Sequence, residues 1–142
     1  MKSRMLLALL ATVPLLATVP LPAVAGKAER DFVSKEVEPA IQASGEKISK
    51  TCGCALKIDL KIDGFADVDQ LRNARNFVRA VGDGAAGHCT DAPSKAAVCK
   101  MKTLEVSRGT SVSFKFAGGK GTATTDVSSY PSWDMIAAQV DK

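Results

Sequence analysis

Aromatic side chains are scarce in this 142-residue sequence, with one Trp, one Tyr and five Phe. A core with so few large residues depends on aliphatic packing and on covalent links. Histidine is scarcer still, since His88 is the only one. It is expected in a loop beside a disulfide-bonded cysteine, where nothing positions a Ser-His-Asp set. Charge of one sign is not in excess either. The formal net charge of +4 includes Lys2 and Arg4, and without those two it is +2. A nucleic-acid binder would carry a stronger basic imbalance with aromatics among the basic residues. Cys-x-x-Cys knuckles, internal repeats and low-complexity linkers are all missing, which argues against a zinc ribbon, a solenoid or a tethered array.

What is present at the N-terminus sets the compartment. Met1 to Arg4 holds two positive charges and no acid, Met5 to Leu21 is almost wholly apolar, and Ala23-Val24-Ala25 has the small-x-small form of a signal-peptidase site. Pro14, Pro20 and Pro22 interrupt the apolar stretch, which is short for a span of about 20 residues. Residues 1–25 are therefore expected to be a cleaved signal peptide and residues 26–142 a single domain. The expected destination is the periplasm or the exterior, with no membrane association after cleavage. No cysteine follows the cleavage site, which argues against lipid attachment there.

Residues 27 to 50 read as helix, with Val33, Val37, Ile41, Ser44 and Ile48 on one stripe and Pro39 either kinking it or opening a second helix. After the cysteines, Leu56, Ile58, Leu60 and Ile62 alternate with Lys57, Asp59, Lys61 and Asp63 without an error, so one face of a strand meets the core and the other is exposed. Asp67 and Gln70 have the form of a capping box. Val68, Leu71, Ala74, Val78 and Val81 then follow at helical spacing, and Gly82 is placed to stop that helix. A loop is expected from Gly82 to Ala97. Three strands follow: Lys100 to Ser107, with Met101 out of phase and suggesting a bulge; Val112 to Phe116; and Thr122 to Val127, whose threonines suit a half-exposed or edge strand. Ser132 caps a last helix bearing Trp133, Ile136, Ala137 and Val140.

The predicted order is α-β-α-β-β-β-α, giving a two-layer α+β domain with about four strands in a mixed sheet and helices on one face only. A helical crossover makes the first two strands parallel, which gathers Cys52, Cys54, Cys89 and Cys99 at one end of the sheet. Of three pairings, Cys52 with Cys54 closes a very small distorted ring, so both cross-linked alternatives, which tie the N-terminal half to the segment 89–99, are preferred. Disulfides rather than a metal site suit these cysteines in an oxidising compartment.

Other motifs fail on context. Gly82-x-Gly84-x-x-Gly87 matches a dinucleotide fingerprint by letter, but it follows a helix instead of a strand. Asp63, Asp67 and Asp69 lack the closing Glu of a calcium loop and serve as turn and cap residues. Arg72, Arg75 and Arg79 share one helical face and form a candidate site for an anionic group or partner. Lys57, Asp59, Lys61 and Asp63 form a candidate exposed sheet face. The sequence thus points to a non-enzymatic exported module, without catalytic residues, metal or cofactor, that binds another envelope or secreted protein in the manner of an inhibitor or accessory factor. The alternative is a thiol-based metal or redox protein using Cys52, Cys54, Cys89 and Cys99.

Overall fold

A computed structural model of the chain describes residues 26–142; the leader assigned to residues 1–25 lies outside them. Four strands, β1 (Lys57–Leu60), β2 (Thr103–Arg108), β3 (Ser113–Ala117) and β4 (Lys120–Thr125), form one mixed sheet in the order β1-β2-β4-β3. β1 and β2 are parallel, as the helical crossover requires. β4 enters parallel to β2 and antiparallel to β3, so it is an interior strand and not an edge. Its Thr122 and Thr124 point to the uncovered face, where a half-exposed β-branched side chain fits a pleated surface. β2 runs without a bulge because Met101 precedes it, buried in the core after the turn that ends α4 (Ala92–Cys99).

The helices are α1 (Lys27–Phe32), α2 (Glu38–Cys52), α3 (Val68–His88), α4 and α5 (Trp133–Val140). They cover one face of the sheet. Ile58, Leu104, Val106, Phe114 and Ala123 project into the same core as Ile48 of α2, Phe77, Val78 and Val81 of α3, Val98 of α4 and Ile136 and Val140 of α5. The other face carries Lys57, Asp59, Glu105, Lys115, Lys120, Thr122 and Thr124, none of them buried. A smaller cluster of Phe65, Leu71 and Ala74 with Phe32, Val33, Leu60 and Ile62 closes the end of the domain beyond β1.

Pro39 falls in the first turn of α2, where its missing N–H costs nothing, and a π-helical turn at Val33–Val37 joins α1 to α2. The turn's extra residue rotates the face that follows. Val37, Ala40, Ser44, Ile48 and Cys52 are buried, while Ile41 of the expected stripe is only half-buried. Asp67 caps α3 by accepting from the Gln70 N–H at 2.9 Å, and Gln70 returns an acceptor to the Ala66 N–H.

The expected loop at 82–97 is the main departure. α3 continues through Gly82, Gly84 and Gly87 to His88, and α4 begins at Ala92 behind a capping box in which the Asp91 carboxylate accepts from the Ser94 N–H. The anticipated order of elements stands with this one helix added. Glycine in a helix interior costs about 1 kcal/mol relative to Ala, and tertiary contacts offset it here. A Cβ on Gly82 would lie 2.7 Å from Ser44 Oγ, so the glycine lets α2 and α3 approach. Ser44 Oγ uses that closeness to donate to the Val78 carbonyl at 2.9 Å.

Candidate functional site

The cysteines are held by a local device in the backbone. Gly53 ends α2 in the left-handed region, φ 81°, a conformation glycine adopts without penalty. The chain reverses there, so Cys52 stays on the helix and Cys54 enters the approach to β1. Cys52 bonds Cys89, just past α3, and Cys54 bonds Cys99, the last residue of α4. Both links are cross-links of the preferred kind, one of the two arrangements the sequence leaves open. No free cysteine occurs among the described residues. A thiolate ligand or attacking thiol would first require reduction of a bridge, and the Cys52–Cys89 pair is buried.

The three arginines of α3 are divided. The Arg72 guanidinium bonds Asp69, and the Arg75 Nη1 donates to Glu36 Oε2 at 2.8 Å. Both lie over the Phe32 ring, at 5.9 and 5.6 Å from its centroid, within cation–π range. Arg79 stands apart beside an open depression of about 240 Å³ between α2 and α3, lined also by Ala43, Ser44, Lys47 and Asp83. Lys47 and Asp83 form an ion pair within it. The stripe is thus two neutralised guanidiniums and one exposed guanidinium in a mixed-charge groove.

On the sheet, Lys57 and Asp59 lie on the uncovered face as expected, and Lys61 extends the row, its N–H still donating to the Val106 carbonyl at 2.8 Å. Asp63 does not. The chain leaves the strand in a 3-10 turn at Ile62–Gly64, which removes Asp63 from the face and carries Ile62 into the smaller apolar cluster. Lys61 Nζ donates to Asp59 Oδ2 at 2.7 Å; that bond holds the Asp59 carboxyl below its ordinary range and the Lys61 ammonium above its own. Lys120 forms an ion pair with Glu105 on the same face, at 2.8 Å.

The two edges of the sheet differ. At β3, the Gln139 side chain of α5 donates to the Phe114 carbonyl at 2.6 Å and accepts from the Phe116 N–H at 2.9 Å. One amide thus occupies the groups a further strand would use. At β1, Lys57 and Lys61 point their N–H groups at β2, so by alternation Ile58 and Leu60 turn theirs outward. No side chain among the described residues plays the part of Gln139 there. Nothing in the sequence signals this closure of β3, because Gln139 meets the strand only once α5 has docked.

His88 ends α3 instead of lying in a loop. Its Nε2 is 3.0 Å from Asp141 Oδ1, and its ring meets Trp133 edge-on at 5.8 Å. This ties the ends of α3 and α5 together, with the Trp133 indole packed over Gly84. Among the described residues no group of three or more His, Cys, Asp or Glu is placed to hold a metal ion, and no helix is long and apolar enough to cross a membrane.

The site and fold together define a disulfide-stapled two-layer α+β protein with one bare polar sheet face and one open edge. No family model matches the chain, and no curated protein or solved structure is detectably similar to it.

Proposed function

We propose that this chain is an exported, non-catalytic accessory or inhibitor-like module that binds another envelope or secreted protein, receiving an extended segment of it along the free edge of β1. The observation that carries the reading is the contrast between edges: β3 is capped by Gln139 whereas the outward groups of Ile58 and Leu60 on β1 are left for a partner. An added strand gains main-chain hydrogen bonds, and alternate side chains supply specificity. Here that row is Lys57, Asp59 and Lys61, bordered by a sheet face that no helix covers. Export is supported by the leader-like residues 1–25 and by the two disulfides, which persist in oxidising compartments.

The test is site-directed photocross-linking in the envelope of an expressing cell. A photoreactive residue replacing Lys57 should give a discrete cross-linked protein product, and the same residue replacing Lys95 on α4 should not. Equal cross-linking at both positions, or none at Lys57, overturns the reading.

A further inference from the structure

The open edge of β1 has a charge pattern that can be matched against its own sequence. The row on the bare face reads Lys57, Asp59, Lys61, and the chain is nearly a palindrome in charge about Asp59. Two antiparallel copies can meet in three registers that set an outward-facing Ile58 or Leu60 opposite an Ile58 or Leu60 of the second copy; centring on Lys57 instead opposes Lys57 to Lys57, again like charges. Centred on Asp59, the pairing sets Asp59 against Asp59 and Lys57 against Lys61 of the second copy, all like charges, which destabilise directly opposed positions. Centred on Leu60, it requires Ile62 and Asp63 to be extended, but these residues form the 3-10 turn. Centred on Ile58, it uses only β1 and the residues just before it, and it sets Lys57 against Asp59 of the second copy twice over.

We infer that the binding edge of β1 pairs with β1 of a second copy of this chain, antiparallel about Ile58, joining two four-stranded sheets into one continuous sheet of eight. This rests on the reading that β1 is the binding edge and names the partner. Ile58 exchanges both main-chain hydrogen bonds with its symmetry mate, and Leu60 faces Leu56 of the second copy, as a two-fold self-complementary interface demands. Lys57 has no ion-pair partner within its own chain among the described residues, whereas Asp59 already holds Lys61. The pairing therefore gives the unmatched cation a carboxylate on each side. Lys61 faces Ala55 of the second copy, so it contributes nothing across the axis.

Sedimentation equilibrium of residues 26–142, from about 1 µM to about 1 mM, reads the association. The wild type should pass from monomer to dimer within that range. Lys57→Asp and Asp59→Lys each create two like-charge pairs and should weaken dimerisation at least tenfold. An equimolar mixture of the two variants should dimerise, because each supplies the charge the other lacks. The double variant Lys57→Asp/Asp59→Lys should regain wild-type association, and Lys61→Ala should not weaken it. A wild type that stays monomeric, single variants that dimerise normally, or a mixture that fails to pair each overturns the inference. A monomeric wild type that still cross-links a different protein through position 57 defeats self-pairing and keeps the edge as the binding site. Absence of any cross-link at 57 defeats the edge itself.

Discussion

The two disulfides close overlapping loops, and their contributions to stability are therefore not additive. Cys52–Cys89 spans 37 residues and Cys54–Cys99 spans 45. On the chain-entropy model either bridge, formed alone, restricts the unfolded chain by about 4 kcal/mol. Once one is present, the other closes only the short circuit from Cys52 to Cys54 and from Cys89 to Cys99, about 12 residues, which corresponds to about 3 kcal/mol. Removing either bridge should then cost about 3 kcal/mol and removing both about 7, so the loss from both exceeds the sum of the single losses by about 1 kcal/mol. Packing breaks the symmetry between the single losses. Cys52 and Cys89 are buried and Cys54 and Cys99 only partly so; replacement of the first pair by Ala should cost about 1 kcal/mol more than replacement of the second. Urea unfolding of the wild type, the two paired Cys→Ala variants and the fourfold variant measures all of these. Since a domain this size has about 5–15 kcal/mol in total, the fourfold variant should be marginal at room temperature. Strictly additive losses would refute the overlapping-loop argument, and a costlier removal of the less buried pair would refute the packing asymmetry.

Gly82→Ala should destabilise by about 1–3 kcal/mol despite the better helix propensity of Ala, because the new methyl group meets Ser44. Gly87→Ala, with nothing within 4 Å of the added Cβ, should stabilise by up to about 1 kcal/mol, and the same urea assay reads both. Gln139→Ala should cost about 1 kcal/mol and expose the β3 edge. Amide exchange at Phe116 should quicken and aggregation on standing increase, whereas unchanged exchange there would show that the glutamine does not close the edge. The carboxyl of Asp59 should titrate below 3.8 by NMR, and Lys61→Met should move it up, since the Lys61 bond is the largest cause of the shift. Because the folded-state value is lowered, the pair's contribution to stability is present above pH 3.8 and lost as pH falls through the folded midpoint.

Local pattern made β1, β3, the capped start of α3 and the final helix legible, because each is a short run whose period or cap lies within a few neighbours. The continuation of α3 was not. Gly82, Gly84 and Gly87 carry a local penalty for helix, and the compensation comes from Ser44 on α2 and Trp133 on α5, far away in sequence. Asp91 to Ser94 did carry a signal for α4, a cap residue with proline in the first turn and Ser94 reciprocating, but a run of turn-forming residues carries the same letters. The cysteine cross-links followed from gathering the chain at one end of the sheet, while the choice between the two cross-linked pairings needed the turn at Gly53.

The arginine row shows where periodicity stops informing about chemistry. Spacing of three and four places Arg72, Arg75 and Arg79 on one face of α3, and that much holds. Whether they form an anion site depends on which charges the neighbouring helices bring. Glu36 on the π-helical turn and Asp69 on α3 itself neutralise two of them over Phe32, and a pair so occupied must lose its carboxylate before it grips another. The row on β1 is only partly occupied in this way, since Asp59 holds Lys61. Among the described residues Lys57 is exposed and forms no ion pair, on an edge whose main-chain groups face outward. A segment added along that edge meets outward main-chain groups and the Lys57 cation without first displacing an ion pair of Lys57, which makes β1 rather than α3 the surface from which to begin looking for a partner.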